Sequence, residues 1–175
     1  MNQSIKRIII LGILIALQVI AGRFLTIATL FVKIGFIFLP IVISAILYGP
    51  FWAGICAAVG DIVIAMLLPY GYYPGFTVSA FLTGAIYGLF LYRKPISIWR
   101  IICCVSVINI VISIFLQTFW LLMLTGKGYL VLLPTRIVQN AIMTPIQILC
   151  IRMIAYRLTE NELRSAPPEM KQGGK

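Results

Sequence analysis

From Ile34 to Tyr92 the chain carries one charged side chain, Asp61. A water-facing surface cannot be assembled from such a stretch. At about 1.5 Å of rise per residue it is long enough to cross a hydrocarbon layer of roughly 30 Å more than once. The rest of the chain has the same character. Its 175 residues are 62% hydrophobic and 10% charged, with mean hydropathy +1.08, whereas a soluble domain is about a quarter charged. The outer surface must therefore face lipid, and buried backbone groups must be satisfied within helices. The length suits one compact bundle without a separate soluble domain.

Six apolar runs predict six membrane helices, an all-α fold. They are Ile5 to Leu25, Ile34 to Tyr48, Phe51 to Leu68, Thr77 to Tyr92, Ile98 to Leu124 and Val131 to Tyr156. Turn signals separate them: Tyr48-Gly49-Pro50, an aromatic loop from Pro69 to Phe76, Arg93-Lys94-Pro95 and Gly126-Lys127-Gly128. The second run is too short to cross as a straight helix, so it must tilt, thin the bilayer or begin within a buried loop. Residues 1–157 form the expected transmembrane domain. Residues 158–175, with Pro167-Pro168 and Gly173-Gly174, form a polar tail expected to be disordered.

The net charge of +10 would suggest nucleic acid for a soluble protein. Here the basic residues sit mostly between or beyond the apolar runs, and membrane orientation explains them better. With the N-terminus inside, ten fall on the inner side: Lys6, Arg7, Arg93, Lys94, Arg100, Arg152, Arg157, Arg164, Lys171 and Lys175. Only Arg23, Lys33, Lys127 and Arg136 fall outside. Both termini are thus expected in the cytoplasm. Lys6-Arg7 followed by an apolar run imitates a signal peptide. We expect it to be retained, since the chain begins at Met1 and further spans follow. The chain has no His, which removes His-based metal sites and general bases. Cys56, Cys103, Cys104 and Cys150 lack metal-ligand spacing and are expected to be buried free thiols. No catalytic residues, metal or cofactor are expected.

No Asp or Glu lies in an expected outer loop, so the outer face is cationic. Arg136 falls inside the sixth run, where an ionisable group is a functional candidate by default. The bland alternative is snorkelling to headgroups. Arg23 and Lys33 are further candidates, while Lys127 between two glycines is simply solvated. In the fifth run, Ser106, Asn109, Ser113, Gln117 and Trp120 are spaced by three or four residues. In the sixth, Arg136, Asn140, Thr144 and Gln147 follow the same rule. Each set occupies one helix face, and facing lipid would leave its amides unpaired. For Ser106, Asn109 and Ser113 interhelical hydrogen bonding suffices as an explanation. Gln117, Trp120, Arg136 and Asn140, near the outer end, are read as lining a cavity suited to a heterocyclic ligand. Tyr70, Tyr72, Tyr73 and Phe76 on the same side serve either as an interfacial belt or as a lid over a flat ligand. Asp61, in the middle of the third run, is expected to pair with a basic or hydroxyl group or to sit in a wet crevice, in a structural or conformational role. One carboxylate cannot supply paired acid–base chemistry.

Gly12 and Ala16 in the first run, and Gly84 and Gly88 in the fourth, make small-xxx-small faces. One pair can serve a partner protein and the other internal packing. No phosphate-binding G-x-x-x-x-G-K-[ST] loop is present, so ATP hydrolysis is not expected here. Nor is an inverted repeat evident.

Most of the chain resembles a known family. The stretch Gly35-Phe36-Ile37-Phe38-Leu39-Pro40, then Tyr48-Gly49-Pro50 and Gly60-Asp61, leads into Tyr73-Pro74-Gly75-Phe76-Thr77-Val78-Ser79-Ala80 and Leu82-Thr83-Gly84-Ala85-Ile86-Tyr87-Gly88-Leu89. These blocks look like the substrate-binding S components of energy-coupling-factor (ECF) vitamin transporters. Within them the resemblance is to the folate group and its YFPGFTLSA…LTGLIYGL signature. Here Tyr73 directly precedes Pro74, without the intervening Phe. The resemblance implies six helices with both termini inside, and a vitamin site near the outer face. That site would be built from helix ends and the loops after spans one, three and five. It implies a transmembrane coupling subunit and two ATPase subunits as partners, and a carrier that topples in the membrane. It also implies docking through small residues of the first helix, often Ala-x-x-x-Ala, where Gly12 and Ala16 stand.

The expectation is therefore a plasma-membrane S component of a bacterium that binds folate on its extracellular side, for uptake driven by partner subunits. A folate offers carboxylates to the outer cations and a flat pterin to Trp120 and the loop tyrosines. Thiamine, a cation, should prefer an acidic site, which is absent. Riboflavin and biotin remain alternatives, as does a membrane scaffold whose polar stripes only join helices. A membrane enzyme is disfavoured by the absent His and scarce acids.

Overall fold

The computed structural model describes residues 3–24, 27–28, 33–67, 72–94, 97–125 and 129–165; at the ends of several elements, including 33–34, 129–132, 135–136 and 158–165, only the backbone is described. Helix α1 spans Gln3–Phe24, α2 Phe38–Tyr48, α3 Pro50–Leu67 and α4 Pro74–Leu91. Helix α5 (Ile98–Val107) runs into a π-helical segment, Ile108–Gln117, and then into α6 (Thr118–Thr125). Helix α7 is Tyr129–Ser165. Five stretches are long and apolar enough to cross a membrane: Ile5–Phe24, Pro50–Leu67, Pro74–Leu91, Ile98–Leu124 and Ile137–Arg157. The 11 residues of α2 are too few for that.

Four differences from the sequence reading have local causes. Residues 27–34 include two short antiparallel strands, β1 (Ile27–Ala28) and β2 (Lys33–Ile34), with Ile27 opposite Ile34 and Ala28 opposite Lys33. The apolar run that begins at Ile34 thus starts as strand and becomes helix only at Phe38. The loop expected to reach Phe76 ends at Tyr73. Pro74 opens α4, because proline's fixed φ and missing N–H suit the first helical position. The last helix continues to Ser165, past the expected start of the tail, and residues 166–175 lie outside the described residues. Finally, Cys103 is exposed on the bundle surface, while Cys56 and Cys104 are buried and Cys150 is half-buried; all four are free.

The main core joins α2, α3, α4, α5, the π segment and α7, through residues such as Val42, Ala45, Ala57, Leu91, Val105 and Ile151. A smaller cluster, Leu11, Leu14 and Cys56, holds α1 to α3 beside Tyr48 and Trp52. The Arg7 guanidinium sits 5.8 Å from the Tyr48 ring centroid and 5.5 Å from that of Trp52, fixing this end of α1 by cation–π contact. Deeper in the bundle Gln18 is fully buried and its Nε2 donates to the Ala57 carbonyl at 3.3 Å. Gly60 makes room for that amide, since a Cβ there would collide with it.

Helices α3 and α4 pack most closely. A Cβ on Gly84 would meet the Ala53 carbonyl and lie 2.9 Å from the Gly54 Cα. One on Gly88 would strike Pro50 and lie 2.8 Å from the Gly49 carbonyl carbon. The Gly84/Gly88 pair is therefore internal. Around Gly12, by contrast, a Cβ would find nothing within 4 Å, and both Gly12 and Ala16 lie on the exposed face of α1. That face continues through Ile9, Ile13, Leu17 and Ile20, all exposed. Apolar side chains turned outward in this way fit a lipid or protein neighbour and not water.

Candidate functional site

The start of α4 and the end of α6 meet at the end of the bundle that carries the β1–β2 pair. Tyr73 holds an extended backbone, φ −128° and ψ 118°, as the residue before a proline should. Its ring centroid is 5.8 Å from Trp120, with planes at 55°, and 5.8 Å from Phe76, at 66°. Phe119 extends the group, 5.3 Å from Trp120. The Tyr73 hydroxyl reaches Met123 Sδ at 3.7 Å. Gly75 makes this stack possible: a Cβ there would press into the Trp120 indole and sit 2.7 Å from the Tyr73 ring. Sequence reasoning named Tyr73, Phe76 and Trp120 but did not single out Gly75 as a contact for the indole.

Asp61 anchors the same turn from α3. Its Oδ2 accepts the Thr77 hydroxyl at 2.9 Å, so a carboxylate lies beside the first turn of α4, where the helix dipole favours negative charge. The expectation of a hydroxyl partner for Asp61 is met.

One helical turn from Trp120, Gln117 begins a polar cavity of about 180 Å³ between α4, the π segment and α7. Asn109, Ser113, Asn140, Gln147 and Tyr87 contribute further polar lining, while Phe38, Ile108, Ile112 and Met143 supply apolar walls. Hydrogen bonds across the helices order part of this lining. Asn109 Nδ2 donates to Thr144 Oγ1 at 2.8 Å, and Ser113 Oγ to Asn140 Oδ1 at 3.0 Å. Thr144 Oγ1 in turn donates to the Asn140 carbonyl at 2.6 Å. Such bonds average only about 0.6 kcal/mol each in a membrane. They orient the amides more than they hold the bundle together. Asn140 therefore serves both roles, helix bonding and cavity lining. The π segment carries Asn109, Ser113 and Gln117, and π-helical turns are frequent at functional sites.

Several buried polar atoms have no hydrogen-bond partner among the described residues: Tyr87 Oη, Trp120 Nε1, Gln147 Oε1 and, between α1 and α3, Gln18 Oε1. An unmet buried group costs about 1–3 kcal/mol. Tyr87 was missed in the sequence because a lone tyrosine in an apolar helix reads as core. Gln147 was visible on the polar stripe but not assigned to the cavity.

The remaining candidates are dispersed. Arg23 is exposed at the last turn of α1. Tyr72 is 47% exposed and does not take part in the Tyr73–Trp120 stack. Lys33 pairs by its backbone in β2, and that strand lies beside α7. The backbone of Arg136 is helical, about two turns into α7; the side chains of Lys33 and Arg136 lie outside the described residues, as does Tyr70 altogether. Among the described residues no group of His, Cys, Asp and Glu could hold a metal ion.

A family model described as ECF-type riboflavin transporter, S component, matches residues 2–164. A folate transporter, FolT, of Clostridium novyi (strain NT) is 40% identical over 150 residues, covering 85% of this chain and 87% of that protein. Another FolT, from Leuconostoc mesenteroides, is 29% identical over 167 residues, covering 91% and 88%. The solved structure of FolT bound with folic acid matches with TM-score 0.81 and 38% identity, over 87% of this chain and 93% of that one. A structure of the S component of a bacterial ECF transporter matches with TM-score 0.65 at 24% identity, a likeness of fold, over 89% and 99%.

Proposed function

The chain belongs to the S components of ECF transporters, and from that premise we propose that it binds folate for uptake into the cell. It is a multi-pass protein of the plasma membrane, and its relatives are transporter components, not enzymes. The observation that carries the ligand assignment is the Tyr73–Trp120 stack one turn from an amide-lined cavity. Flat rings and convergent amides suit a fused heterocycle. The relatives named for folate, at 40% and 38% identity, support the same ligand.

Six spans, with both termini in the cytoplasm, complete the reading. The ten-to-four distribution of Lys and Arg supports that orientation, and α2 is the sixth crossing, short enough to need local thinning of the bilayer. The β1–β2 end then faces outward, with Arg23, Lys33 and Arg136 near it. These cations meet the glutamate carboxylates of folate. Transport requires a transmembrane coupling subunit and two ATPase subunits, since the chain has no phosphate-binding loop of its own. The exposed face of α1, with Gly12 and Ala16, is the docking surface for the coupling subunit.

The test is binding to the detergent-purified full chain, followed by tryptophan quenching with folate, riboflavin, thiamine and biotin in turn. Folate alone should quench tightly. Tight quenching by riboflavin in place of folate would transfer the assignment to the ligand in the family model's description. Arg136→Ala should weaken folate binding by about 2–5 kcal/mol if a buried charge pair is lost. Unchanged affinity would remove Arg136 from the site.

A further inference from the structure

Near the start of α1 a cation is held by rings alone. The Arg7 guanidinium lies between Tyr48 and Trp52, 5.8 Å and 5.5 Å from their centroids. Among the described residues it makes no hydrogen bond or ion pair, so its forked N–H donors have no acceptor there. The sequence explains why: no Asp or Glu precedes Asp61, and Asp61 stands well along α3, about 16 Å from its first residue. A half-buried guanidinium with unmet donors calls for an anion from outside the chain. Position decides which anion. Arg7 shares with Leu11, Leu14, Gln18 and Ala21 the face of α1 turned into the bundle, whereas Gly12 and Ala16 lie on the opposite, exposed face. A protein docked on that exposed face does not cover Arg7. The niche opens where α1 begins and α2 gives way to α3, and Ile8 starts the apolar run directly after Arg7. That is the depth of lipid headgroups. Phe51, 63% exposed and edge-on to Trp52 at 6.1 Å and 82°, continues an aromatic border of the kind found at that depth. Lys6, beside Arg7, is exposed.

We infer that Arg7, Tyr48 and Trp52 form a headgroup site for an anionic phospholipid. Its phosphodiester accepts from the guanidinium fork, and the two rings hold that fork in place. Lys6 adds attraction at longer range. Basic pockets between helices on the cytoplasmic side of membrane proteins bind anionic headgroups in this way. The choice of the inner leaflet rests on the orientation proposed above; the binding itself does not, and it is independent of the folate reading. A lipid so held pins the start of α1 against the turn between α2 and α3, on the side away from Gly12 and Ala16.

The full chain in detergent is titrated with dioleoylphosphatidylglycerol, dioleoylphosphatidylcholine and inorganic phosphate. Two quantities are read: the adducts retained in native mass spectrometry, and the rise in melting temperature on adding each compound. The native chain should prefer phosphatidylglycerol over phosphatidylcholine by roughly five- to tenfold, the size of one basic residue at an anionic surface. Arg7→Gln should abolish both the preference and the lipid-dependent rise. Arg7→Lys keeps a cation over the rings, and so keeps α1 seated, but lacks the fork. It should retain part of the preference, and it remains informative if Arg7→Gln does not fold. Lys94→Gln removes a different basic residue, one whose Nζ donates to the Leu89 carbonyl at 2.8 Å, and should leave the preference intact. A merely structural Arg7 would show a lower lipid-free melting temperature in Arg7→Gln with the lipid-dependent rise unchanged, and that result would overturn the proposal. Equal binding of the two lipids by the native chain would do the same. So would an equal loss with Lys94→Gln, which would make the effect one of general surface charge, or phosphate binding as tightly as the lipid, which would make the ligand a free anion. An unchanged preference in Arg7→Gln, together with lost co-purification of the coupling subunit, would give the cation to a protein carboxylate instead. Tryptophan quenching by folate, followed in the same variants, should persist and reports that they are folded. Every outcome that sinks the lipid site leaves the folate reading and the orientation standing.

Discussion

Adding one methyl group at Gly84 tests the seam between α3 and α4. In Gly84→Ala the new Cβ would meet the Ala53 carbonyl and lie 2.9 Å from the Gly54 Cα. Those are backbone atoms, so no side chain can swing aside, and the two helices must separate. Overpacking of this kind costs roughly 1–3 kcal/mol. It is offset in part by the better helix propensity of alanine, about 1 kcal/mol. A net loss of about 0–2 kcal/mol follows, and more for a larger residue. Gly84→Leu should therefore fall well below Gly84→Ala. At Gly12 the same change meets nothing, so Gly12→Ala should gain the propensity term alone. Because Gly84 and Gly88 lie on one seam, a single separation relieves both clashes, and the double alanine variant should lose less than the sum of the two. A thiol-reactive dye offers the assay. Cys56 and Cys104 are buried and become reactive on unfolding, whereas Cys103 is exposed and sets the baseline. If Gly84→Leu melts with the native protein, the close α3–α4 packing is wrong.

Other expectations are local to the aromatic stack. Asp61→Ala removes the acceptor of the Thr77 hydroxyl and should lower the melting temperature by an amount equivalent to about 1–3 kcal/mol. Asp61→Asn keeps an acceptor and should recover much of the loss; equal damage by both would make the charge, not the hydrogen bond, the cause. Gly75→Ala should displace the Trp120 indole, changing tryptophan emission and weakening folate by about tenfold, near 1.4 kcal/mol. Unchanged emission and affinity would mean that the indole does not rest on that turn.

How much of this could be read from the chain follows from what each signal depends on. Five membrane-capable helices were legible because charge is excluded from lipid, and Asp61 stands alone over a long interval. The polar faces of the fifth and sixth runs were legible from spacing, and Asn109, Ser113, Asn140 and Thr144 do meet across the helices. The π segment was not, because its apolar and polar order also fits an α-helix. Tyr87 was hidden for a different reason: whether a tyrosine hydroxyl is satisfied depends on neighbours from α7, remote in sequence. Gly75 had turn residues around it, and its contact with Trp120 required knowing that the two helix ends converge. Arg136 could be flagged by its depth in an apolar run, which says where its backbone lies but not what its guanidinium touches.

The π segment has a consequence for how such a site can vary. Two amides of the hollow, Asn109 and Gln117, and the indole of the stack stand on one continuous rod, with a change of winding between Ile108 and Gln117. Deleting a single residue there would turn Trp120 by about 100° about the helix axis, while every amino acid touching the ligand kept its identity. Insertions and deletions, as well as substitutions, can therefore retune the pairing of pocket floor and rim.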